Sequence, residues 1–243
     1  MAKKNKISAE IFSEINEFTT YITEIGLSIA NNNQTKQIKR KAFNEPDNGT
    51  KKIQKCIEYI APSVKNEDHT IIFDNQIEYK ELYSYLDEQR NYNMKLVDGA
   101  LVSLVYEILE SSNEILTHRL TFFPSPYLFA NDFSMDIISQ EELYSDIISK
   151  NIYPFPIRFD FDLYHSVDLE HPKSHLTLGQ YKNCRIPVTS AVTPGKFIIF
   201  ILRNFYSAYY NEHKINLNKI CKMFEIDASI TDNEKEISHF VVK

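Results

Sequence analysis

The sequence predicts an α+β fold, an antiparallel sheet of about five strands packed against helices, with an N-terminal helical segment. Three observations carry that prediction. Residues 8–30 place Ile11, Ile15, Phe18, Ile22, Ile25 and Ile29 at steps of three and four, the period of one helix face. Residues 95–123 hold two β-branched and aliphatic runs joined by Glu110-Ser111-Ser112-Asn113-Glu114, which reads as a hairpin. Thr193-Pro194 opens a long apolar stretch, and proline suits the first position of a helix. Hairpins and helices in separate runs fit a sheet sheltered by helices on one face.

The elements follow in chain order. Ser8 is the expected N-cap of the first helix, with Glu10, Glu14 and Glu17 placed off its apolar face. Residues 31–50 are rich in Asn and Lys and close on Glu45-Pro46-Asp47-Asn48-Gly49, which reads as a loop. Residues 51–61 read as a short helix stopping before Pro62. A brief strand is expected at 69–73 and a helix at 79–90. Residues 1–90 are thus a mostly helical segment packing on a core formed by 91–243. In that core, strands at 95–109 and 115–123 end at Pro124-Ser125-Pro126, and 134–150 read as acidic helix or turns. A strand at 156–162 leads through a loop to a second hairpin, 175–179 with 184–188. The long helix runs from Thr193 to about residue 213, with Phe197, Ile198, Phe200, Ile201, Leu202 and Phe205 apolar over more than half its circumference, as expected of a central packing helix. A shorter helix at 216–224 and a C-terminal strand or tail complete the chain.

Composition bounds the function. Hydrophobic residues make up 43% and aromatics 13% of 243 residues, enough for a substantial core. A net charge of −6 argues against a surface dominated by nonspecific duplex binding, while leaving room for a small basic pocket. Cys56, Cys184 and Cys221 are odd in number and scattered, as expected of reduced thiols in a cytosolic protein. No apolar run reaches the roughly 18 residues of a membrane span, and no signal-type segment follows the basic N-terminus. The expected location is cytoplasmic, with no membrane partner. The five glycines are too far apart for a phosphate loop or a dinucleotide fingerprint, so no nucleotide cofactor is expected.

The chemistry-bearing stretch is Pro156-Ile157-Arg158-Phe159-Asp160-Phe161-Asp162, followed by His171-Pro172-Lys173-Ser174-His175-Leu176-Thr177. Strand alternation puts Arg158, Asp160 and Asp162 on one face and Ile157, Phe159, Phe161 and Leu163 on the other. It separates Thr117, Arg119 and Thr121 from Leu116, His118, Leu120 and Phe122, and His175 and Thr177 from Leu176 and Leu178. If these strands pair, Arg158, Asp160, Asp162 and His175 converge with Arg119. Such a group suits phosphodiester chemistry. A histidine can move the proton, arginines can stabilise charge on phosphate, and Asp160 with Asp162 can hold a divalent ion.

The structural reading stands beside it. An arginine two residues from an aspartate is a common ion pair, and Asp162 is placed to cap the following turn. His118 alternates with leucines, as a core histidine does. Pro172 breaks any helix joining His171 to His175, so a zincin-type zinc site is not expected. Cys184 reads as a small core residue, and Arg185 joins the cluster only if its register faces it.

Six stretches resemble an uncharacterised bacterial family known as domain of unknown function 2290. They are Tyr92-Asn93 through Leu101, His118-Arg119-Leu120 with Phe123-Pro124-Ser125-Pro126, Arg158 to Asp162, His171 to Leu176, Cys184-Arg185-Ile186-Pro187-Val188, and Phe200 to Tyr206. The resemblance covers most of residues 90–210 and implies no activity. The Arg-Phe-Asp strand with its His-rich hairpin also looks like compact toxin-type nucleases of bacterial toxin–antitoxin loci, by pattern and not by motif. The expected function is a nuclease-like effector of a toxin–antitoxin or phage-defence locus, with RNA or DNA as partner. Arg158, Asp160, Asp162 and His175 would form its site, with Arg119 or Arg185 on phosphate. The alternative is a non-catalytic interaction subunit of a defence complex. An open pocket at Asp160 and His175 favours the first, and a fully paired buried network the second.

Overall fold

The apolar stripe of the first segment becomes helix α1 (Ile7–Glu24), which buries Ile11, Ile15, Phe18 and Ile22. The computed structural model describes residues 6–45, 48–63, 77–127, 155–181, 183–222 and 226–242. Helix α1 starts one residue before the expected cap, and the Ser8 hydroxyl instead accepts a bond from Lys36 Nζ at 3.0 Å. It stops earlier than the periodicity suggests. Gly26 takes a positive φ of 75°, open to glycine without strain, and turns the chain into strand β1 (Ser28–Asn31).

The expected loop at 31–50 and helix at 51–61 are both corrected. These residues form one antiparallel hairpin, β2 (Gln34–Glu45) and β3 (Asn48–Pro62). Much of this ribbon has water on both faces, so no apolar alternation marked it as strand. The described residues of 1–90, expected to be mostly helical, therefore supply three strands. Helix α2 (Tyr79–Glu88) follows, close to expectation. The expected strand at 69–73 and helix or turns at 134–150 lie outside the described residues.

Strands β4 (Met94–Leu96), β5 (Leu101–Leu109), β6 (Glu114–Phe123), β7 (Ile157–Asp162), β8 (Ser174–Leu178) and β9 (Ile186–Pro187) complete the sheet. Its order is β1-β4-β5-β6-β7-β8-β9, with β3 pairing β5 beside β4, and β2 pairing β3. Every pairing of these strands is antiparallel. The fold is α+β, with nine strands among the described residues where about five were expected. The surplus comes from the β2–β3 ribbon and from short edge strands.

Helices α3 (Pro194–Phe205) and α4 (Ser207–Ile220) join α1 on one face of the sheet. There Phe197, Ile201, Tyr209 and Leu217 pack with Leu104, Tyr106, Leu120 and Phe159. Thr193 caps α3, its Oγ1 accepting the Lys196 N–H. The helix expected at 193–213 is divided at Tyr206, whose backbone leaves the helical region while its hydroxyl donates to Asp98 Oδ2 at 2.7 Å. The expected 216–224 helix is partly absorbed into the end of α4. A short helix, α5 (Asp232–Lys235), carries a capping box between Thr231 and Glu234, and Phe240 then bridges to Val188.

The opposite face was expected to lack helices, yet α2 sits on it. Leu82, Tyr83 and Leu86 cover Leu101 and Phe123 at one end. At the other end Ile57, Leu109 and Leu116 form a small cluster of their own. Leu116 arrives there through a register shift between Glu107 and Ile108, and so does not share a face with His118 as alternation alone predicted. Between these apolar ends lies a polar band. Among the described residues, no helix is long and apolar enough to cross a membrane.

Candidate functional site

Strand register builds the band row by row. The central row runs Val105, Arg119, Asp160, His175 and Pro187 across five strands. One row toward α2 lie Ser103, Thr121, Arg158 and Thr177, and one row away lie Glu107, Thr117 and Asp162. The alternating apolar residues Leu120, Phe159 and Leu176 anchor the same strands in the core. Thus the register that buries one face also aligns the polar side chains on the other.

Asp160 is the centre of the band. Its Oδ1 accepts from Arg119 Nε at 3.2 Å and its Oδ2 from Arg158 Nε at 2.5 Å. Burial pushes its pKa upward, but the two guanidiniums prevail and hold it below the usual carboxylate range. His175 Nε2 lies 3.7 Å from the same Oδ2. Its Nδ1 is 2.9 Å from the Pro172 carbonyl, which can only accept, so Nδ1 carries the proton and Nε2 the lone pair. Burial lowers the His175 pKa, outweighing the pull of Asp160, and its side chain is only 5% exposed. The centre therefore holds a neutral imidazole, one carboxylate and two cations.

The other predicted residues separate from it. The Asp162 carboxylate accepts from the backbone N–H groups of Tyr164 and His165 and pairs with the His165 ring at 3.0 Å, capping the turn after β7. Asp160 and Asp162 share a face but, among the described residues, no hydrogen-bond partner. Among the described residues, no group of three or more His, Cys, Asp or Glu is arranged to hold a metal ion. Arg185 donates to the Glu170 carbonyl at 3.2 Å. His171 sits beside His175 with ring centroids 5.0 Å apart, its Nδ1 directed at the His165 carbonyl. Cys184 Sγ accepts the Leu178 N–H. His118 lies in the core between Tyr106 and Phe161, where Nε2 accepts the Val192 N–H at 2.8 Å and burial lowers its pKa to about 3.

An open cleft adjoins the band on its α2 side. Its cavity volume is ≈ 20 Å³, between Leu82 and Phe123 on one side and Arg158, Thr121, Thr177 and Gln180 on the other. Among the described residues, no carboxylate lines it. The Thr121 hydroxyl is buried there without a hydrogen-bond partner among the described residues. Gln180 and the α2 wall were missed by the sequence reading. The spacing of Leu82, Tyr83 and Leu86 marked an apolar helix face, but not the sheet face it would cover.

Another missed residue is Glu14. It is fully buried between α1 and the start of α3, its Oε1 accepting the Lys222 N–H at 2.6 Å, and burial raises its pKa to about 7. The signal was present in the sequence, because Glu14 follows Ile11 by three and precedes Phe18 by four, inside the apolar stripe.

Comparison with protein families bears on this fold and site together. A family model described as "Uncharacterized conserved protein (DUF2290)" matches residues 47–242. The chain belongs to that family. The matched span runs from β3 through α5 and contains the polar band and the cleft, while α1, β1 and β2 precede it. Comparison with curated proteins and with solved structures returned no match.

Proposed function

We propose that this chain engages the phosphodiester backbone of a nucleic acid on the face carrying Arg119, Arg158 and the cleft, as a nuclease-like effector of a toxin–antitoxin or phage-defence locus. One observation carries the reading. A buried aspartate orients two arginines, and one of them lines a cleft beside the Thr121 and Thr177 hydroxyls, with no carboxylate among the described lining residues. A guanidinium held in place loses little freedom on meeting phosphate, and its planar fork matches phosphate oxygens. Arg158 would take the phosphate, with the Thr121 and Thr177 hydroxyls as further donors. Arg119 adds positive charge from the next row. Asp160 is a positioning residue, since both its oxygens face arginines. In a cleavage step His175 Nε2 would accept the proton of the attacking hydroxyl or water.

A second reading has its own observation. His175 is nearly closed off from solvent and Asp160 is fully paired, as expected of a structural network in a non-catalytic interaction subunit. Binding and cleavage assays on RNA and DNA, with and without divalent metal, decide between them. The wild type should bind, and Arg158→Gln should weaken binding roughly tenfold, about 1.4 kcal/mol. Arg158→Lys, which keeps the charge beside Asp160, controls for folding. Cleavage that disappears in His175→Gln while binding persists supports the nuclease. Binding without cleavage by the wild type supports the subunit, and no binding to either nucleic acid ends the proposal.

A further inference from the structure

The net charge of −6 conceals a local reversal of sign. Between residues 36 and 55 the sequence has Lys36, Lys39, Arg40, Lys41, Lys51, Lys52 and Lys55, against only Glu45 and Asp47. The ribbon also outruns the sheet. β3 pairs with β5 only through Ile57 to Ile60, so the paired segments 38–45 and 48–56 have no third strand beside them among the described residues.

Register distributes the cations over both faces. Lys39, Lys41 and Lys55 lie on the face of the polar band, where Lys41 meets Glu107 at 2.6 Å. Arg40 and Lys52 lie on the opposite face, both exposed. Lys41 and Lys55 are directly opposed, a like-charge pairing that works against the hairpin. Charged residues on a free strand commonly guard against edge-to-edge aggregation, but either sign would do that. A concentration of positive charge in an acidic chain asks for an anionic partner.

We infer that the β2–β3 ribbon is a docking arm for double-stranded DNA. The inference rests on the nucleic-acid reading of the adjoining face and names its substrate class. A two-stranded ribbon fits the major groove of B-form DNA, about 12 Å wide, whose two walls are lined by phosphates. Cations on both ribbon faces reach both walls, whereas a single strand needs one cationic track with open aromatic platforms. Phe43, the one aromatic of the 36–55 segment, is already held against Tyr164 and Lys55. The deep, narrow major groove of duplex RNA does not admit such a ribbon.

Fluorescence anisotropy with duplex DNA, the matching single strand and duplex RNA tests this across a salt series. The variant combines Arg40→Gln, Lys41→Gln, Lys52→Gln and Lys55→Gln, leaving Lys39 packed on the Tyr59 ring. Each lost phosphate contact should reduce the slope of log affinity on log salt by about 0.9. Duplex affinity should fall roughly tenfold or more, with an unchanged melting temperature. Unchanged duplex affinity and slope overturn the arm, as does aggregation of the variant with its soluble fraction still binding fully. Tighter wild-type binding to single-stranded DNA or duplex RNA overturns the duplex assignment. Arg158→Gln separates the two proposals. If it alone abolishes binding, the cleft stands and the arm falls. If only the ribbon variant loses affinity, the arm stands and the cleft falls.

Discussion

Asp160 illustrates how one residue's role depends on its neighbours. Alternation placed it beside Arg158 on the same strand face, but the second arginine and the histidine come from β6 and β8 through cross-strand register. With both oxygens facing guanidiniums, the carboxylate keeps two cations oriented rather than acting on a substrate. Asp160→Asn should therefore destabilise the fold by about 3 kcal/mol, because it removes the buried carboxylate that both arginines face. Urea unfolding measures this, and a loss below about 1 kcal/mol would mean that the network does not hold the sheet face together. Asp162 shares that strand face, but the sequence also placed it to cap the following turn. Its side chain is engaged by the turn after β7, a local preference of aspartate that strand alternation does not capture.

At the scale of elements, the apolar stripe of α1, the strands β5 to β8 and the start of α3 were legible because each buries a periodic face. The β2–β3 ribbon was not. Its side chains alternate between two solvated faces over much of its length, leaving no hydrophobic period to read. The α1–α3 contact was also hidden, because it depends on Gly195. A Cβ at that position would lie 2.5 Å from Glu14 Oε1 and 2.7 Å from Cys221 Sγ. Alanine is the better helix former by about 1 kcal/mol, yet Gly195→Ala should lower stability by about 1–3 kcal/mol through overpacking. Thermal melts of the variant test this, and an unchanged or raised midpoint would show that α1 can move away from α3.

For the whole molecule, buried groups of opposite character shape stability against pH. Glu14 has a folded pKa raised from 4.5 to about 7, so the folded chain binds more protons there than the unfolded chain between those values. Its contribution is present below pH 4.5 and is lost as pH rises through 7, about 3 kcal/mol in all. His118, lowered from 6.5 to about 3, acts oppositely, and its contribution is lost as pH falls through that window. Glu14→Gln should remove the alkaline loss while keeping the acid one. Relative to wild type, the variant should gain about 2.5 kcal/mol at pH 8 compared with pH 5 in urea unfolding. Parallel profiles would show that Glu14 does not titrate as a buried group.

By itself, the sequence determined the α+β class, the core-facing helix stripes and the face shared by Arg158 and Asp160, since each follows from local periodicity. Bulk charge was misleading at this scale, because summing over the chain averages away the basic ribbon. Only tertiary structure decided that Arg119 and His175 stand beside Asp160 and that α2 walls a cleft. Those outcomes depend on which strands pair, in which register, and what packs above them. Such contacts join residues far apart in the chain, and no local pattern encodes them.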